Sequence, residues 1–91
     1  MDLFYKVKAA LRVSTDDEGI SEEIKSLIDA GKRDLITTGI TNVKDPLFEM
    51  AIIIYCKGHF GFDNPEAQRL IESYESIKQK MMDTEEYRDA E

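Results

Sequence analysis

From Leu47 to Cys56 the chain reads Leu-Phe-Glu-Met-Ala-Ile-Ile-Ile-Tyr-Cys, apolar or aromatic everywhere except Glu49. A surface helix carries an apolar stripe, whereas a segment that is apolar on nearly every side belongs in an interior. Ile52-Ile53-Ile54-Tyr55 taken alone would also suit a buried strand, but the flanks decide for a helix. Asp45 brings a carboxylate to cap free N–H groups, and Pro46 fits the first helical position, where its missing N–H costs nothing. At the other end Gly58 and Gly61 act as stop signals, and Lys57 and His59 lie near the negative pole of the helix. The run is far too short to cross a membrane, which takes about 20 apolar residues. The spacing predicts the buried central helix of a small α-helical domain.

The other segments are patterned to cover such a helix. Between Asp2 and Arg12, the residues Leu3, Val7, Ala10 and Leu11 share one helical face, widened by Phe4 and Tyr5. Thr15-Asp16-Asp17-Glu18 has the spacing of a capping box. It opens a second helix from Asp16 or Asp17 to Thr37, with Ile20, Ile24, Leu27, Ile28, Leu35 and Ile36 as its stripe and Gly39 as its stop. Ala30 and Gly31 leave a shallow place for a neighbouring helix, while Asp34 is among the residues predicted to face water. Ile40 to Lys44 is a short connector. After the central helix, Asp63 or Asn64 is the expected cap and Pro65 the first turn of a fourth helix. Ala67, Leu70, Ile71, Tyr74, Ile77 and Met81 form its stripe, with Lys78 on the wet side. The stripe stops at Asp83, and the polar, acidic stretch to Glu91 reads as a frayed tail or as a segment that orders on a partner. The fold class expected is all-α: about four helices in a small bundle spanning 1–82, with a polar tail at 83–91.

Ninety-one residues make one small domain. A chain of this size buries only roughly 60–65% of its unfolded surface, so association is a common source of added stability. The formal net charge of -7 and the lack of a long basic run argue against tight binding of nucleic acid. The single cysteine, Cys56, permits no intrachain disulfide and suits a reducing compartment. The segment Met1 to Val13 is amphipathic and charged, unlike a secretory signal, so a cytoplasmic setting is expected.

Candidate chemistry is sparse. Counting from Asp16, the sixth and twelfth positions of a calcium loop fall on Ser21 and Leu27, which fails that motif. His59 is the only histidine. With Cys56 at i, i+3 it makes two ligands, too few to close a zinc site. Gly58 and Gly61 lack the Lys-Ser/Thr pair of a phosphate loop. Lys25-Ser26-Leu27 lacks the aspartate of the carrier-protein Asp-Ser-Leu motif. No catalytic, cofactor or metal residues are expected.

Several segments in order are familiar: Leu11-Arg12-Val13-Ser14, Thr15-Asp16-Asp17-Glu18, Leu27-Ile28-Asp29-Ala30-Gly31-Lys32-Arg33-Asp34-Leu35, Asp45-Pro46-Leu47, Ala51-Ile52-Ile53-Ile54-Tyr55-Cys56-Lys57, Phe60-Gly61-Phe62-Asp63-Asn64-Pro65-Glu66 and Ser73-Tyr74-Glu75-Ser76-Ile77-Lys78. Over about residues 1 to 80 the chain resembles the head-tail connector (head completion, or DNA packaging) proteins of long-tailed bacteriophages and prophages. The resemblance implies a non-enzymatic virion structural protein that forms a ring of about a dozen copies below the portal. Such a ring extends the DNA channel and offers a platform for the next neck or tail protein. It implies a place in the virion neck, assembly in the bacterial cytoplasm, and DNA passing without sequence-specific binding. The alternative from another class is a small acidic helical regulatory module of the antitoxin or inhibitor type. Partner contacts are expected at the connector Thr41, Asn42, Val43 and Lys44, at Phe62, and at Glu85, Glu86, Tyr87 and Arg88 in the tail.

Overall fold

A computed structural model describes residues 3–61 and 64–84. They form four helices: α1 Leu3–Ala10, α2 Glu18–Thr37, α3 Pro46–His59 and α4 Ala67–Met82. The fold is all-α, a small bundle in which each of the other three helices packs on α3. Phe48, Ala51, Ile52 and Cys56 of α3 form the middle of the core. Val7 of α1, Ile24, Ile28 and Leu35 of α2, and Tyr74 and Met81 of α4 close around them. Ile40 joins this core from the connector.

The start of α3 matches the sequence reading. Asp45 is the N-cap, its carboxylate accepting from the Leu47 N–H at 2.8 Å, and Pro46 occupies the first turn. The end differs. Gly58 is buried inside the helix, which runs on to His59, with Phe60 as C-cap and Gly61 at φ 81° beyond. A Cβ on Gly58 would stand 3.3 Å from Leu70 Cβ and from Ile71 Cγ1, so this glycine admits α4 rather than stopping α3. Gly31 does the same between α2 and α3, where a Cβ would meet the Tyr55 ring at 3.1 Å and Ile52 at 3.2 Å. The expected shallow place on α2 is therefore occupied by α3. The central helix is less enclosed than its composition predicts: Met50 is 51% exposed, and Ile53 and Ile54 are half-buried. Three neighbours cannot surround a helix completely.

The caps of α2 also shift. The box on Thr15 does not form. Asp17 is the N-cap, accepting from Ile20 N–H at 3.1 Å, and Thr15 Oγ1 accepts from Asp17 N–H in the turn before it. A charged carboxylate serves the positive helix end better than a hydroxyl. Ile36, placed in the α2 stripe by the sequence reading, is 47% exposed, because one residue past Leu35 turns the side chain about 100° away from the core. On α4, Glu66 is the N-cap residue, and its side chain makes no capping bond. Asn64 closes the preceding turn, its Oδ1 accepting from Glu66 N–H at 3.0 Å. Asp63 lies outside the described residues.

Two helices end in the same device. At α2 the Gly39 N–H donates to Ile36 and the Ile40 N–H reaches back to Leu35, with Gly39 at φ 95°. At α1 the Arg12 N–H donates to Ala9 and the Val13 N–H to Lys8, with Arg12 at φ 60°. Both are Schellman closures, in which the left-handed position favours glycine. In α1 that position holds an arginine.

Candidate assembly surfaces

Asp34 and Lys78, both read from the sequence as water-facing, meet across the gap between α2 and α4. Lys78 Nζ lies 2.9 Å from Asp34 Oδ2 and 3.1 Å from a Glu75 oxygen, and the buried Tyr74 hydroxyl donates to Asp34. Burial alone would raise the Asp34 carboxyl, but the Tyr74 hydroxyl and the Lys78 ammonium outweigh it and hold it below its usual range. Burial, reinforced by the bond to Asp34, drives the Tyr74 phenol far up. Burial opposes the charge on Lys78, yet Asp34 and Glu75 together keep its ammonium more firmly protonated than usual. The cluster fixes α4 in register on α2 and leaves these groups satisfied.

Beside it a groove of about 430 Å³ runs between α2 and α4, lined by Ala30, Arg33, Tyr55, His59, Ile71 and Glu75 among others. His59 stacks on Tyr55 at 4.1 Å, and its Nδ1 bonds the Tyr55 carbonyl at 2.8 Å, completing the C-terminal end of α3. Cys56, one turn back, is fully buried, and burial pushes its thiol up to about 12. One side chain of the Cys56–His59 pair thus points into the core and the other to solvent, so the two do not converge on one ligand. Among the described residues no three His, Cys, Asp or Glu side chains gather as a metal site.

A second pocket, of about 340 Å³, lies at the end of the bundle where α1 and α3 finish and α4 begins. Its apolar lining is Ala10, Leu11, Phe60 and Leu70; its polar lining is Arg12, Lys57, Asn64 and Glu66. Asn64 is tied to the Lys57 carbonyl at 2.7 Å, and Glu66 is paired with Arg69. Arg12 and Lys57 carry no ion pair among the described residues. Sequence reasoning missed this pocket, since Arg12 and Lys57 are 45 positions apart and nothing in the pattern announces the backbone turn that brings them together.

Of the contacts expected from sequence, Thr41, Asn42, Val43 and Lys44 are all exposed, with Val43 at 47%. The connector is anchored at both ends, by buried Ile40 and by the Asp45 cap, and braced by the Val43 N–H to Thr41 carbonyl bond at 2.9 Å. Phe62 and Glu85, Glu86, Tyr87 and Arg88 lie outside the described residues. Further exposed apolar surface is found at Tyr5, Ile36 and Met50. Among the described residues no helix is long and apolar enough to cross a membrane.

The sequence profile of the family described as phage connector protein matches residues 3–88. The chain belongs to the phage connector protein family. Membership makes it a structural protein of head-to-tail assembly in the virion neck, with its partners among the components of that assembly. No curated protein and no solved structure matches it.

Proposed function

We propose that this connector is a non-enzymatic adaptor that forms a ring of about a dozen subunits beneath the portal, extends the DNA channel and carries the next neck or tail protein. The observation that carries the reading is the family match, which takes in all four helices. Two physical features support it. Tyr5, Ile36, Val43 and Met50 leave apolar surface that a neighbouring subunit would cover. The net charge of -7 repels phosphate, so DNA moving through such a ring is not held by it. In this reading the subunits assemble in the host cytoplasm, on a head already filled.

The test is native mass spectrometry of the full chain alone and mixed with portal assemblies, followed by electron microscopy of the mixture. Rings capping the portal are expected. A chain that stays monomeric and unbound in the presence of portal would overturn the proposal.

A further inference from the structure

The pocket at Arg12 and Lys57 combines three features. Part of its lining is apolar, from Leu11, Phe60 and Leu70. The lining also holds two cations, Arg12 and Lys57, without an ion pair among the described residues, on a chain whose net charge is -7. One of those cations, Arg12, sits at φ 60°, where glycine would be easier. A residue with open anionic groups beside an apolar ring would complement both parts of the lining.

The chain itself contains such a segment. Glu85-Glu86-Tyr87 puts two carboxylates directly before an aromatic ring. It leaves from the far end of α4: the pocket takes its α4 lining from Glu66 and Leu70, whereas the segment follows Met82 and Thr84. From Leu70 to Thr84 is 14 residues, or roughly 21 Å at helical rise. Tyr87 is three residues past Thr84, which extends at most about 10 Å. The acids preceding it reach less far, so a chain cannot place Glu85 and Glu86 at its own Arg12 and Lys57. A second copy can.

We infer that the Glu85-Glu86-Tyr87 segment of one subunit docks in the Arg12–Lys57 pocket of the next, its carboxylates on the two cations and its ring against Phe60 and Leu70. The contact is head-to-tail. The pocket takes its lining from the start of α4 and the segment follows its end in sequence, so every copy can both give and receive, and a rotation that closes the series produces a ring. The inference rests on the ring reading and adds a specific joint to it.

A synthetic peptide of residues 83–91 titrated into isotopically labelled full-length protein tests the joint without requiring a ring. Amide shifts are expected at Arg12, Lys57, Phe60 and Leu70, weakening as salt is raised. Arg12→Glu with Lys57→Glu should weaken binding about tenfold or more, and a Glu85→Lys, Glu86→Lys peptide should restore it on that reversed pocket. Lys57→Gln, on an exposed position, gives a milder variant if the double change perturbs folding. Shifts elsewhere, or affinity indifferent to both reversals, would overturn the docking. Portal-bound rings that persist without the peptide effect would leave the ring and refute this joint. Peptide binding at the pocket in a chain that never assembles would refute the ring instead.

Discussion

Arg12→Gly should make the protein more stable, although it deletes a long side chain. Arg12 occupies the left-handed position of the Schellman closure on α1, the place Gly39 takes on α2. A non-glycine residue there is strained by about 1–2 kcal/mol, because its Cβ crowds the following carbonyl. Replacing it by glycine relieves that strain but loosens the unfolded chain, at a cost of about 0.4–1 kcal/mol. Arg12 makes no ion pair among the described residues and is exposed, so little else is lost. The balance is a gain of about 0.5–1 kcal/mol. For a domain of this size that is a rise in Tm of roughly 2–8 °C. The mirror experiment is Gly39→Ala, where no atom lies within 4 Å of an added Cβ, so the same two terms apply with opposite sign and the loss is about 0.5–1 kcal/mol. Urea unfolding followed by far-UV circular dichroism, at concentrations where the chain is monomeric, measures both. If Arg12→Gly destabilises while Gly39→Ala behaves as stated, the arginine side chain contributes stability that its surroundings do not explain, and the strain argument fails at α1. If the gain appears together with loss of assembly, stability and docking have been separated at one residue.

Other perturbations probe the packing. Gly31→Val should cost about 1–3 kcal/mol, read from the urea midpoint, because the added carbons enter space held by Tyr55 and Ile52. Tyr74→Phe removes the hydroxyl that donates to Asp34 and should cost about 1.5–3 kcal/mol in the same measurement. Asp34, held below its usual range when folded, adds stability above its unfolded pKa that is lost as pH falls through the folded value. Unfolding free energy measured across pH 2–5 should therefore slope less steeply in Asp34→Asn. Cys56, buried with its thiol raised to about 12, should resist a thiol reagent at pH 8 in the native protein and react at the rate of opening.

The elements were legible because each carries its own signal. Asp45-Pro46 marks the start of α3, the isoleucine stripe marks α2, and the Ala67 to Met81 stripe marks α4. What the pattern could not give was pairing. Gly58 reads as a stop in a linear string because glycine ends helices. Its use as a seat for α4 depends on where Leu70 and Ile71 arrive. Asp34 and Lys78 read as solvated because charged residues usually are. They become one cluster with Tyr74 only when α2 and α4 lie on the same side of α3. The connector Thr41 to Lys44 is exposed, as its polar residues between two strong helix signals would suggest. The Arg12–Lys57 pocket had no linear trace at all.

The same facts explain why a chain this small should be built to associate. Its core is a single helix with three neighbours, and that arrangement leaves Met50 open on α3 itself. Enclosing the remaining face within one chain would take another helix. In the proposed ring a neighbouring copy would supply that cover without lengthening the chain. A strongly acidic subunit repels its own kind over most orientations. In the proposed joint Arg12 and Lys57, which carry no ion pair among the described residues, meet the acids of the next copy and favour that direction of approach. Neutralising those two cations should then lower the specificity of assembly more than the stability of the fold, whereas filling the Gly31 seat should do the reverse.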